Sequence, residues 1–173
     1  MEQLKFNLKG VGADAEIETN ANGGMHSKTE YSMHLIDPKF LREFSVRARE
    51  TFAVDGVEKY SIVCAMEEIA EYMEKETDKE WHLMSAVFCL ANPINLSPLA
   101  IMGEVLKEGT EKYAPNNWRK IPEEEHLNHA LIHLVAAYNE DKTDNHLAHA
   151  VTRLMMAFGT NISEDFSYTE CKV

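Results

Sequence analysis

The sequence predicts an all-α protein: a helical bundle containing an antiparallel hairpin with a histidine ladder on each arm, preceded by an irregular N-terminal segment. Three observations predict it. Apolar residues recur at helical spacing in successive stretches from about residue 38 to residue 158. One frame occurs twice, as His126-Leu127-Asn128-His129-Ala130-Leu131-Ile132-His133-Leu134 and as His146-Leu147-Ala148-His149-Ala150-Val151-Thr152-Arg153-Leu154. Residues 1–36 show no helical period. On a helix, His126, His129 and His133 fall within about 60° of one another, and so do His146, His149 and Arg153. The polar run Tyr138–Asp144 joins the two copies, and so short a connection makes the helices antiparallel neighbours.

Within the N-terminal segment, Asn20-Ala21-Asn22-Gly23-Gly24 is a turn or loop, since Asn and Gly tolerate positive φ. Met25-His26-Ser27-Lys28 follows, so that backbone N–H groups with Ser27 and Lys28 offer a cradle for an anion, against the alternative of a plain surface loop. Asp37-Pro38 opens the first helix, with Phe40, Leu41, Phe44 and Val46 or Ala48 on its apolar side to about Phe52. Asp55-Gly56 interrupts, and a second helix covers Glu58–Glu76, burying Ile62, Val63, Met66, Ile69, Ala70 and Met73. A third runs from about Asp78 to Ala91, with Leu83, Met84, Val87, Phe88 and Leu90 as its apolar residues, and Asn92-Pro93 ends it. Ser97-Pro98 opens a fourth, buried through Leu99, Ile101, Met102, Val105 and Leu106 and stopped by Gly109. Ile121-Pro122-Glu123 starts the first ladder helix. The second runs from Asp144, as cap, to about Phe158 before Gly159; residues 159–173 form a tail packed through Phe166 and Tyr168.

The length of 173 residues fits a single domain, 1–173, able to bury a core without disulfides. A formal charge of −12 argues against binding a nucleic-acid polymer, though a few local cations or a metal can still receive nucleotide phosphates. Cys64, Cys89 and Cys171 are odd in number; Cys64 and Cys89 lie in apolar helical surroundings, which favours free thiols. Met1–Phe6 lacks the apolar core of a signal peptide, and no run approaches a membrane span. The expectation is a cytoplasmic protein without membrane contact.

Three groups carry candidate chemistry. The histidines of the ladders have metal-ligand spacing, and His129, His133, His146 and His149 with Asp144 offer nitrogen and oxygen ligands for a divalent ion. The same histidines could instead make polar contacts between helices or contact phosphates directly. Glu67, Glu68 and Glu71 share a helix face, with spacing suited to Mg²⁺, against a solvated acidic face. Lys112-Tyr113-Ala114-Pro115-Asn116-Asn117-Trp118-Arg119-Lys120 gathers cations, aromatics and amides in an acidic chain. Rings can stack a base, amides read its edge and cations hold phosphates; the competing reading is a loop whose Trp118 plugs the core.

At these residues the chain resembles the phage-encoded dATP/dGTP diphosphohydrolase family of the N-terminal domain type. The resemblance rests on Asn22-Gly23-Gly24-x-x-Ser27-Lys28, Leu35-Ile36-Asp37-Pro38, Gly109-x-x-Lys112-Tyr113-x-x-x-Asn117-Trp118-Arg119-Lys120, His126-Leu127-Asn128-His129-Ala130-x-x-His133 and Asp144-Asn145-His146-Leu147-Ala148-His149-Ala150. It covers residues 20–38 and about 97–158. The chain then divides into the N-terminal segment 1–36, an inserted helical segment of about 40–96, a family core of 97–158 and the tail. Glu67-Glu68-x-x-Glu71 in the insert is similar to the metal-binding helix of MazG-like pyrophosphohydrolases.

The resemblance implies a nucleotide pyrophosphohydrolase, splitting purine dNTPs to dNMP and pyrophosphate with a divalent ion (Mg, Mn, Co or Zn). Lys112, Arg119 and Lys120 would hold phosphates, with Arg153, Ser27 and Lys28 beside them. Tyr113 or Trp118 would stack the base and Asn117 would read it. His129, His133 and Asp144 are the catalytic candidates. A non-catalytic nucleotide binder that sequesters its ligand, and a structural protein whose ladders only pack, are the other readings. A hairpin this short has limited room for a closed site, so a homo-oligomer that shares it is expected.

Overall fold

The computed structural model describes residues 15–51, 56–94 and 97–161. In order these form β1 (Ile17–Thr19), β2 (Met25–Ser27), a 3-10 turn (Met33–Leu35), α1 (Pro38–Thr51), α2 (Val57–Glu74), α3 (Lys79–Ile94), α4 (Pro98–Lys112), a second 3-10 turn (Asn117–Lys120), α5 (Glu123–Tyr138) and α6 (His146–Asn161). The predicted helical bundle is therefore present. No single helix among the described residues is long and apolar enough to cross a membrane. The proposed tail contacts of Phe166 and Tyr168, and Cys171, lie outside the described residues.

The duplicated frame builds the hairpin. His126 meets Arg153 at one level and His133 meets His146 at another, so α5 and α6 run antiparallel. In each copy the two Leu and the Ala fall within about 60° of one another, beside the histidine stripe. Ala130, Leu134, Ala150 and Leu154 are fully buried, with Leu127 and Leu147 nearly so. The small Ala side chains sit in the close-packed seam; the histidines flank it.

α2 packs against α1, α3 and α5, and α6 packs against α3, α4 and α5. Ile62, Ile69, Leu83 and Leu90 fill the space between them. Tyr72 donates to the Glu123 carboxylate and ties α2 to the first turn of α5. Asp37 accepts from the Phe40 N–H at 2.9 Å, capping α1 as its Asp-Pro start implies.

Several element details depart from expectation. Phe40 and Phe44 are exposed and stack on each other, while Leu41, Ser45 and Ala48 form the buried stripe. Phe88 and Leu99 are also exposed. α3 continues past Pro93 to Ile94, and α4 passes through Gly109 to Lys112. α6 starts at His146: the cap is Asn145, whose side chain accepts from the Ala148 N–H, and not Asp144. Gly159 lies inside α6 because the Trp118 ring occupies the space a Cβ would need, 2.8 Å away.

The N-terminal segment is more regular than expected. β1 and β2 pair antiparallel with Glu18 opposite His26. Asn20 Oδ1 accepts from the N–H groups of Asn22 and Gly24, and Gly23 takes the positive φ of the turn. Side-chain amides then dock the segment. Asn20 donates to the Lys120 carbonyl, Asn117 brackets the backbone of Met25 with two bonds, and Asn128 on α5 does the same to Tyr31 and Met33. Gly24 sits so close that a Cβ would stand 2.8 Å from the Lys120 carbonyl oxygen.

Candidate functional site

The docked hairpin, the end of α4, the second 3-10 turn and the ladder helices enclose a cavity of about 400 Å³. That size falls in the range of small-molecule sites. Ser27, Lys112, Tyr113, Asn117, Trp118, His129, His133, Asp144, His149 and Arg153 all line it. Ten residues singled out from four separated stretches of sequence thus face one space.

Arg153 is the cation of this cavity. Its guanidinium donates to Nδ1 of His126 at 3.3 Å; no carboxylate stands in ion-pair contact with it among the described residues, and the Glu125 charge acts on it from farther off. Burial holds it below the ordinary guanidinium value, but arginine stays protonated in proteins. Lys112 stands at the exposed rim. The aromatic side has two members with different duties. Trp118 is wedged against Gly159, with the Arg119 guanidinium 4.5 Å over its ring, which is the core-plug role. Tyr113 is the partly buried ring available for stacking.

The histidines form two hydrogen-bonded groups. His126 donates from Nε2 to the Trp118 carbonyl at 3.0 Å and accepts from Arg153 on Nδ1, so its neutral tautomer is set from both sides. Burial, then the Arg153 charge, lowers it to about 3. The same two causes lower His129 to about 2. His133 and His146 share one proton between Nδ1 atoms 3.0 Å apart. His146 Nε2 lies 3.6 Å from Asp141, which favours the proton on that nitrogen. His133 then donates from Nδ1 and keeps a lone pair on Nε2. Burial and the neighbouring His149 hold His133 well below its ordinary value. His149 stacks on His133 at 5.0 Å and meets Asp144 at 3.2 Å; burial lowers it against the pull of Asp144. At neutral pH His126, His129, His133 and His149 are therefore neutral imidazoles and not phosphate-binding cations, and those with an open ring nitrogen offer a lone pair to a ligand.

Other expected residues stand elsewhere. Lys28 is exposed and pairs with Glu16, Arg119 lies on Trp118, and Lys120 is exposed; none lines the cavity. Asn117 lines it, but its amide is consumed by the Met25 backbone, so it is not free to read a base. Glu67, Glu68 and Glu71 do not converge on a metal position. Glu67 pairs with Arg49, Glu68 with His82, and Glu71 with Arg42 and Lys75. The acidic face of α2 is an ion-pair surface because α1 and α3 bring cations to it.

The ladder ligand set needs correction too. His146 is turned from the cavity toward His133 and Asp141, and His149 is bonded to Asp144, so His129, His133, Asp144, His146 and His149 do not close around one point. The ligand atoms that do come together, within 4.8 Å of one another, belong to His26, Glu125 and His129. Sequence reasoning missed His26, on a strand too short to show alternation. Glu125 carried a signal: it stands four residues before His129 and shares its helix face.

No curated protein and no solved structure matches the chain. Residues 91–167, which run from the end of α3 through α4, α5 and α6 and hold most of the cavity wall, match the family model described as dATP/dGTP diphosphohydrolase, N-terminal.

Proposed function

We propose that the cavity binds a purine deoxynucleoside triphosphate and that the protein hydrolyses it to the monophosphate and pyrophosphate. The observation that carries this reading is Arg153: a partly buried guanidinium, lining a cavity, with no carboxylate in ion-pair contact among the described residues and only the longer-range charge of Glu125 near it. A buried charge is costly unless paired, and a phosphate oxyanion is the partner that suits it. The family description supplies the substrate class.

Arg153 and Lys112 receive the phosphates, and Tyr113 stacks the base. His133, held by His146 with its Nε2 lone pair free, accepts a proton from water as that water attacks the α-phosphorus. The bond to the bridging oxygen breaks and pyrophosphate leaves. The His149–Asp144 pair buffers proton movement at the same wall. A divalent ion, when bound, would neutralise phosphate charge and activate water. The exposed Phe40 and Phe44 support a homo-oligomer.

The test is pyrophosphate release from dATP and dGTP with Mg²⁺, Mn²⁺, Co²⁺ or Zn²⁺. No turnover with any of them, in folded protein, would overturn hydrolysis. Tight binding with intact nucleotide recovered would select sequestration instead.

A further inference from the structure

We propose that His26, Glu125 and His129 form a binding site for one divalent transition-metal ion, selecting Zn²⁺, Co²⁺ or Mn²⁺ over Mg²⁺. One ligand atom from each residue lies within 4.8 Å of the others. Ligands about 2.1 Å from a common ion stand roughly 3.4 Å apart, so modest side-chain adjustment closes the set. Two imidazoles and a carboxylate suit a borderline ion; Mg²⁺ prefers oxygen.

Independent observations point to a ligand here. His129 is buried, and its Nε2 has no hydrogen-bond partner. His26 is buried as well, and its Nδ1 faces the Ser27 carbonyl at 3.2 Å. A proton held there leaves Nε2 as a lone pair, the carbonyl–histidine arrangement that commonly orients a metal ligand. The His26 and His129 rings meet edge-on, with centroids 5.8 Å apart. Glu125, in the first turn of α5, supplies a negatively charged ligand beside the two imidazoles. Three ligands are the count of a catalytic site, which keeps one position open.

His129 also lines the cavity, so a bound ion adjoins it. The role of the ion toward a triphosphate rests on the nucleotide reading; its binding does not.

The experiment is titration of the chelator-stripped full chain with Co²⁺, read by visible absorption and thermal shift. One equivalent should bind, with a ligand-field band and a raised Tm. Glu125→Gln and His26→Gln should each bind at least tenfold more weakly while keeping parental far-UV circular dichroism. Glu68→Gln, altered on α2 away from the cavity, should bind as the parent does. Absence of stoichiometric binding of Co²⁺, Zn²⁺ and Mn²⁺ overturns the site, as does parental affinity in either ligand variant. Metal binding by the parent without pyrophosphate release would leave the site standing and remove the hydrolase reading.

Discussion

Arg153 donates to Nδ1 of His126 across 3.3 Å, and His126 donates from its other nitrogen to the Trp118 carbonyl. The guanidinium is thereby aimed without being neutralised. Arg153→Met should weaken binding of a non-hydrolysable dATP or dGTP analogue by about tenfold to a hundredfold, the worth of one charge-assisted hydrogen bond of roughly 1.5–3 kcal/mol. Calorimetry on the folded variant checks it. Unchanged affinity would mean the phosphates lie elsewhere.

Acid should destabilise the protein through His133. Its folded value lies well below the ordinary 6.5, chiefly because it is buried, so the native state holds it neutral. Its contribution to stability is complete above pH 6.5 and is lost progressively as pH falls from there toward the folded value. By pH 5.5 the loss from this residue alone is about 1.4 kcal/mol. Thermal melts of metal-free protein between pH 7.5 and 5.5 should show it. His133→Asn should make the profile shallower without abolishing it, because burial also lowers His126 and His129; a profile as steep as the parent's would remove His133 from the acid response.

Gly24→Ala should loosen the N-terminal hairpin. The new methyl meets the Lys120 backbone at 2.8 Å, and backbone yields less readily than a side-chain tip. A cost of about 1–3 kcal/mol is expected, with faster amide exchange in β2. Since Ser27 and His26 ride on that strand, nucleotide and Co²⁺ affinity should fall together. Intact exchange protection would show that the docking tolerates the methyl.

Phe40 and Phe44 stack on the exposed face of α1, their centroids 6.5 Å apart. Changing both to Lys should convert an oligomer to monomer in light scattering while leaving Tm within a few degrees. An unchanged mass would show that this face of α1 does not join copies of the chain.

Much of the site was readable from residue types alone. The doubled frame marked the hairpin, and Ser27, Tyr113, His129, His133, Asp144, His149 and Arg153 do meet at one cavity. What escaped depends on contacts distant in sequence. His26 reaches His129 only because Asn20, Asn117 and Asn128 pin the N-terminal segment by backbone bonds, and amides spent that way look the same in sequence as amides awaiting a base. α1 misled for a local reason: it carries two apolar stripes, and the core takes Leu41, Ser45 and Ala48. Ser45 is admitted because its hydroxyl donates to the Leu41 carbonyl at 2.8 Å. The acidic helix face was ambiguous until α1 and α3 were placed beside it.

The two copies of the frame are not quite equal, since His133 in one is matched by Arg153 in the other. Two identical arms running antiparallel would give a pocket with a near twofold axis, indifferent to which way round its guest lay. This departure gives it polarity. The Arg153–His126 level carries a permanent charge, whereas at the other level, roughly 10 Å along α5, His133 is held neutral by its burial. A guest with one anionic end and one aromatic end therefore has a preferred orientation, set by one residue in a repeated motif.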